Sequence, residues 1–160
     1  MKIAIVDYDG TLFKEETIPF LMRFAGKGKV PKKDYYLTLL KVYFVLLRYK
    51  SGLDKNFGKE RFHHEVATAF LSIFKNMNKS EIQNFFKEAV IEAEKLFNPE
   101  VISKLKQLKS EGYLLILLSG GFLPYVNLVG KKLEFDKVFA TELEFIEKGF
   151  NLKKKLNFIT

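Results

Sequence analysis

Residues 2–13 read KIAIVDYDGTLF, and this stretch decides the fold. Ile3-Ala4-Ile5-Val6 is a short, continuous apolar run rich in β-branched residues, the pattern of a strand buried in a parallel sheet. The run stops at Asp-x-Asp-Gly-Thr. Asp7 and Asp9 stand two residues apart, so both side chains leave the same side of a strand and converge just past its carboxyl end. Open α/β sheets bind ligands at that edge. Two like charges so placed repel, and holding both there requires a cation or a proton between them. Gly10 permits a sharp turn, and Thr11 offers a hydroxyl to the loop backbone.

Working outward, residues from about Glu15 to Glu94 change to helical periodicity. Apolar residues recur at helical spacing in TIPFLMRF, YYLTLLKVYFVLLRY, RFHHEVATAFLSIF and KSEIQNFFKEAVIEAEKLF, with breaks at Gly26, Gly28, Pro31, Gly52 and Gly58. A further helix is expected to begin at Asn98, with Asn98 as N-cap, Pro99 in the first turn and Glu100 near the positive end of the dipole. Val101, Leu105 and Leu108 share one face of it, and Gly112 marks its end. YLLILLSGG, residues 113–121, reads as a second buried strand. A helix over about Leu123 to Leu133, a third strand over Lys137 to Phe145 and an extended piece, FNLKKKL, follow. Strands separated by helices predict a parallel α/β sheet with right-handed crossovers. The helical block is too long for a connection, so the expected organisation is an α/β core of residues 1–13 and 95–160 with an all-helical cap of residues 14–94.

The chain has 160 residues, 48% of them hydrophobic, no cysteine and a formal charge of +8. This fits one globular unit or a small core with an inserted subdomain. Disulfides and thiolate zinc sites are excluded, and with only Ile3-Ala4-Ile5-Val6 between Lys2 and Asp7 the N-terminus offers no secretory signal, so a cytoplasmic protein is expected. The positive charge lies in lysine clusters at 27–33, 104–109 and 153–155, which suits anionic ligands and otherwise reads as solvated surface. No basic stripe with stacking aromatics is present, so no nucleic-acid partner is expected. Tyr35 to Tyr49 is broken by Lys41 and Arg48 and is too short for a bilayer span. Between a lipid-binding helix and an amphipathic helix packed within the helical block, the second is expected, and no membrane partner with it. His63 and His64 are adjacent in a helical pattern and do not share a face, which favours a surface or packing role over metal binding.

The two aspartates suit Mg²⁺, which takes a few protein oxygens and leaves room for water and phosphate. A carboxylate beside Mg²⁺ can attack phosphorus and form an aspartyl phosphate. The second carboxylate can protonate the leaving oxygen and then deprotonate the attacking water. Ser119 brings a hydroxyl to the end of the second strand, and the backbone N–H groups after it offer an anion site at a helix N-terminus.

DYDGTLF, followed after a helical insertion by a strand ending LLSGG, resembles the haloacid dehalogenase superfamily, in the branch similar to phosphoserine phosphatase. SIFKNMNKSEIQNFFKEA resembles a cap segment of that branch, and FDKVFATELEF its third core strand. The resemblance implies a Rossmann-like core of which three strands are recognisable, and a Mg²⁺-dependent phosphomonoester hydrolase acting on a small phosphorylated substrate. By the same resemblance Asp7 is the nucleophile. Asp9 is the general acid/base and gives its backbone carbonyl to Mg²⁺, and Ser119 with Gly120 binds phosphate. The family's later lysine and acidic metal-binding pair have no match. Lys153 to Lys155 follow a turn that carries them away from the catalytic edge, and no aspartate follows Asp136. The chain thus resembles a member ending early, and the alternative expectation is a catalytically silent remnant that binds only phosphate or metal. Without the strand that pairs with it in the resembled fold, the first strand is an open apolar edge. Such an edge is expected to recruit a second copy, or to be covered by the segment around Leu152 to Ile159.

Overall fold

The computed structural model describes residues 1–52, 57–145 and 150–152. A strand, β1 (Lys2–Asp7), leads into four helices: α1 (Thr17–Ala25), α2 (Lys32–Ser51), α3 (Lys59–Leu71) and α4 (Lys79–Ala93). Helix α5 (Pro99–Ser110), strand β2 (Tyr113–Phe122), helix α6 (Leu123–Lys132) and strand β3 (Lys137–Thr141) follow. Strands β4 (Leu143–Phe145) and β5 (Phe150–Leu152) form a separate antiparallel pair. The main sheet is parallel in the order β1-β2-β3, with Ile5 opposite Ile116 and Leu117 opposite Val138. This is the α/β class that the sequence predicts.

The local signals work as read. Asn98 Oδ1 accepts from the Glu100 N–H at 3.1 Å to start α5, Leu105 is buried beneath it, and Gly112 takes φ +77° after it. At α4 the capping is reciprocal: the Glu81 N–H donates to Asn78 Oδ1 at 3.0 Å, and the Asn78 N–H donates to Glu81 Oε2 at 2.7 Å.

One core runs from the sheet into the helices. Leu115 and Leu117 of β2 lie under α5 and α6, and Phe122 at the end of β2 stacks on Phe70 of α3 at 5.5 Å. Phe74 meets Phe70, Phe85 and Phe86 edge to face, and Phe86 reaches Tyr125 of α6. Losing one such buried phenyl ring costs on the order of 3–5 kcal/mol.

Three expectations need correction. First, β1 is not buried on both faces: Ile3 is 45% and Ile5 66% exposed, while Ala4 and Val6 turn to the core. Both crossovers step the same way across the sheet, so right-handedness puts α5 and α6 on one face and leaves the other open. Second, α2 does not hide its apolar residues. Its fully buried side chains are Asp34 and Thr38, and Tyr36, Leu40, Tyr43, Phe44 and Leu47 face outward. Asn76 Nδ2 donates to both Asp34 carboxylate oxygens at 2.9 and 3.0 Å, and Thr38 pairs with Ser72 at 3.2 Å, so hydrogen bonds turn the polar side inward. Third, the strand read over Lys137 to Phe145 is broken at Glu142: β3 leaves the sheet after Thr141, and Leu143–Phe145 pairs with Phe150–Leu152 instead. Lys153 to Lys155 and the rest of the segment to Ile159 lie outside the described residues.

Candidate active site

The alternation of β1 sends Tyr8 into the core and Asp7 to the open side. Tyr8 is fully buried, stacks on Phe13 at 5.2 Å and hydrogen-bonds through its hydroxyl to the Tyr125 hydroxyl at 2.8 Å. Burial pushes both phenols well above their ordinary range, so both stay neutral. This anchor fixes the end of β1 against α6. Beyond it the chain winds tightly: Phe13 N–H donates to the Tyr8 carbonyl at 2.8 Å, Leu12 N–H to Asp7 at 3.3 Å and Gly10 N–H to Glu15 at 3.3 Å. Gly10 adopts φ +72°, a left-handed conformation that admits glycine without strain.

The turn brings Asp9 to the N-terminus of α1. There Asp9 Oδ1 accepts the Thr17 backbone N–H at 2.8 Å and the Thr17 hydroxyl at 2.6 Å. Its other oxygen, Oδ2, faces the Ser119 hydroxyl at 3.4 Å. Burial holds the Asp9 carboxyl above its ordinary pKa. The two Thr17 bonds oppose that rise, and the charges of Glu16 and Asp7 add to it. Asp7 is exposed, and its carboxylate accepts only from the Thr11 hydroxyl, at 3.4 Å, among the described residues.

Ser119 is buried in β2, and its Oγ accepts the Gly121 N–H at 2.9 Å. A Cβ on Gly121 would stand 3.1 Å from Ser119 Oγ, 3.2 Å from Val126 Cγ2 and 3.3 Å from Thr17 Oγ1, so only glycine fits without a shift. Gly120 next to it is exposed, with no atom within 4 Å of where its Cβ would be, and its carbonyl accepts from the Thr141 hydroxyl at 2.9 Å. Pro124 in the first turn of α6 has no N–H, which reduces the donors that helix end can offer.

The structure therefore brings Asp9 and Ser119 together, places Asp7 beside them at the carboxyl edge and leaves Gly120 open to solvent. Sequence reasoning missed Thr17, whose two bonds orient Asp9, and Tyr125, which anchors the residue between the aspartates. A threonine opening the helix that follows a two-aspartate turn is the one signal that pointed to the first. His63 and His64 are exposed on α3. No group of three His, Cys, Asp or Glu side chains is placed to hold a metal ion among the described residues. A cavity of about 220 Å³ lies elsewhere, lined by Glu15, Arg23, Lys27 and Glu92 among others, and its charges are already paired as Arg23–Glu15 and Lys27–Glu92.

A parallel sheet carrying an Asp-x-Asp turn after its first strand and a Ser-Gly-Gly end on the next is an α/β core with its candidate site at the carboxyl edge. The family profile described as haloacid dehalogenase-like hydrolase matches residues 4–158. The chain belongs to this family. It is 28% identical over 142 residues to phosphoserine phosphatase of Methanocaldococcus jannaschii, a match covering 89% of this chain and 56% of that protein. Its fold is similar to a Bordetella pertussis protein of unknown function (TM-score 0.71, 15% identity, 96% of this chain and 66% of the other). It is also similar to a phosphoserine phosphohydrolase-like protein of Francisella tularensis (TM-score 0.60, 19% identity, 96% and 65%). The chain spans little more than half the length of the curated relative and about two thirds of these structures.

Proposed function

We infer that the chain carries the nucleophile and acid/base half of an aspartate-dependent phosphomonoester hydrolase. The observation that carries this reading is Asp9: a part-buried carboxyl of raised pKa, fixed through Oδ1 by Thr17 and accepting the Ser119 hydroxyl through Oδ2. One Asp7 carboxylate oxygen attacks phosphorus of a small phosphate ester, the phosphorus–oxygen ester bond breaks, and the leaving alkoxide takes the proton of Asp9. Water then attacks the aspartyl phosphate and gives a proton back to Asp9, releasing phosphate and restoring Asp7. Ser119 and Gly120 hold the phosphate oxygens during both steps. Mg²⁺ fits an exposed carboxylate bonded only through Oδ2, to Thr11, and Asp7 with the Asp9 main-chain carbonyl would hold it; bound there, it would supply positive charge next to the phosphate. Two protein oxygens are few for an ion that dehydrates reluctantly, so weak binding is expected.

The same reading divides the chain into a core of residues 1–13 and 95–160 and a helical cap of residues 14–94. The two connections lie side by side, with Lys14 N–H donating to Leu96 and Asn98 N–H to Leu12, which supports a paired hinge. A cytoplasmic setting accords with the cysteine-free sequence, and β1 is the edge at which a second copy would add.

The test is hydrolysis of p-nitrophenyl phosphate with added Mg²⁺, comparing the chain with Asp7→Asn. Slow turnover that Asp7→Asn abolishes is expected; turnover unaffected by that change overturns the assignment. A second reading, a silent remnant that only binds phosphate, draws on the lack of any lysine or arginine paired with Asp7 or Asp9 among the described residues. Positive groups preorganised for the transition state are worth about 10²- to 10³-fold each. Phosphate binding by calorimetry with no detectable turnover selects that reading.

A further inference from the structure

Helix α2 wears its large apolar side chains on the outside. Tyr36, Leu40, Tyr43 and Leu47 follow spacings of four, three and four, and Phe44 lies beside them; all are exposed, Tyr36 at 63% and Phe44 at 59%. At 1.5 Å per residue the stripe runs about 17 Å along the helix. Its middle holds no charge. Lys32 and Lys33 stand at one end of the same face, Lys50 at the other and Lys41 on the flank, all exposed. A contiguous apolar patch with a polar rim marks an interaction surface.

Charge selects the occupant. Asp34, the one acid of α2, is buried against Asn76, and Glu65 on the neighbouring α3 is held by Arg48 and Arg61. A second copy docked on this face, parallel or antiparallel, would bring lysine ends against lysines with no acid on the stripe to answer them. An anionic lipid surface answers every one. Tyrosine and phenylalanine also suit the boundary between headgroups and acyl chains. No helix among the described residues is long and apolar enough to cross a membrane, so contact is in the plane of the surface. We propose that the outer face of α2 docks the protein on anionic lipid headgroups, with Leu40, Tyr43, Phe44 and Leu47 entering the headgroup layer and Lys32, Lys33, Lys41 and Lys50 pairing with lipid phosphates. This rests on residues separate from Asp7, Asp9 and Ser119 and holds whether or not the chain turns over substrate.

The experiment is cosedimentation of the whole chain with vesicles of phosphatidylcholine alone and of phosphatidylcholine mixed with phosphatidylglycerol. Binding to the mixed vesicles is expected to exceed binding to the neutral ones by on the order of 10-fold or more and to weaken with salt. Lys32→Glu/Lys33→Glu/Lys50→Glu should lower it by roughly 10²-fold. Leu40→Ser/Phe44→Ser should abolish it, with unchanged circular dichroism because both positions are exposed. Equal binding to both vesicle types, or none to either, overturns the proposal. A dimer in sedimentation velocity that Leu40→Ser/Phe44→Ser dissociates overturns it too and gives the face to a second copy.

Discussion

Asp9 Oδ1 receives both donors of Thr17, bonds that favour the ionised carboxylate, yet burial and the neighbouring charges of Glu16 and Asp7 outweigh them and hold its pKa above the ordinary 3.8. The folded chain therefore binds this proton more tightly than the unfolded chain does. Stability contributed by the proton is present below the ordinary carboxylate value and is lost as pH rises through the raised one. Asparagine keeps the oxygen that Thr17 bonds and removes the charge. We expect Asp9→Asn to raise Tm by a few degrees at pH 7, with the gap to the parent closing below the ordinary carboxylate range. Thermal unfolding across that range checks it, and a gap independent of pH would mean that burial of charge is not what strains the site. The position of Asp9 just past β1 follows from signals that are local, an alternation rule and a turn glycine. It did not reveal Thr17, because that bond depends on where α1 begins in space.

Among the elements, the legible ones are those whose signals are local: the Asn98-Pro99-Glu100 start of α5, the apolar run of β2 and the helix after it. Two others were misread for opposite reasons. KVFATELEF carries no glycine or proline, so nothing in it announces that the chain quits the sheet after Thr141. Helix α2 is apolar around most of its circumference, so periodicity could not choose its inward side; Asn76 and Ser72 choose it through Asp34 and Thr38. Helix α6 shows how packing overrides propensity. A Cβ on Gly130 would lie 2.3 Å from Val138 Cγ2 on β3, against a β-branched side chain with little freedom to yield. Alanine gains about 1 kcal/mol of helix propensity over glycine, but overpacking costs about 1–3 kcal/mol. We expect Gly130→Ala to lower stability by about 1 kcal/mol or more in urea unfolding, and Val138→Ala to relieve it. A double variant whose loss is the simple sum of the two would show that the contact is not the cause.

At the scale of the whole molecule, the three-stranded sheet is covered on one face only among the described residues. Ile3 and Ile5, with Leu118 and Phe139 beside them, are exposed on the other, and β1 pairs only with β2 among the described residues. Parallel sheets normally have both faces covered, and the apolar run Ile3-Ala4-Ile5-Val6, which holds no proline and no inward-pointing lysine, invites another strand. The two openings are not closed by the same partner. A second copy pairing antiparallel along β1, about a twofold axis perpendicular to the sheet, extends it to six strands but puts both uncovered faces on the same side. Edge pairing therefore enlarges the apolar face, and association should continue beyond the dimer as concentration rises. Ile5 lies on both the edge strand and the open face, and at 66% exposure it contributes little to folding. We expect Ile5→Lys to shift the sedimentation distribution toward monomer while changing stability by no more than about 0.5 kcal/mol, as exposed substitutions do. Hydrogen exchange at residues 3–6 supplies the second measurement: protection that grows with concentration in the parent and disappears in Ile5→Lys places the contact on β1. A parent that stays monomeric with slowly exchanging β1 amides would mean that the edge is closed from within the chain, and the association argument would fail.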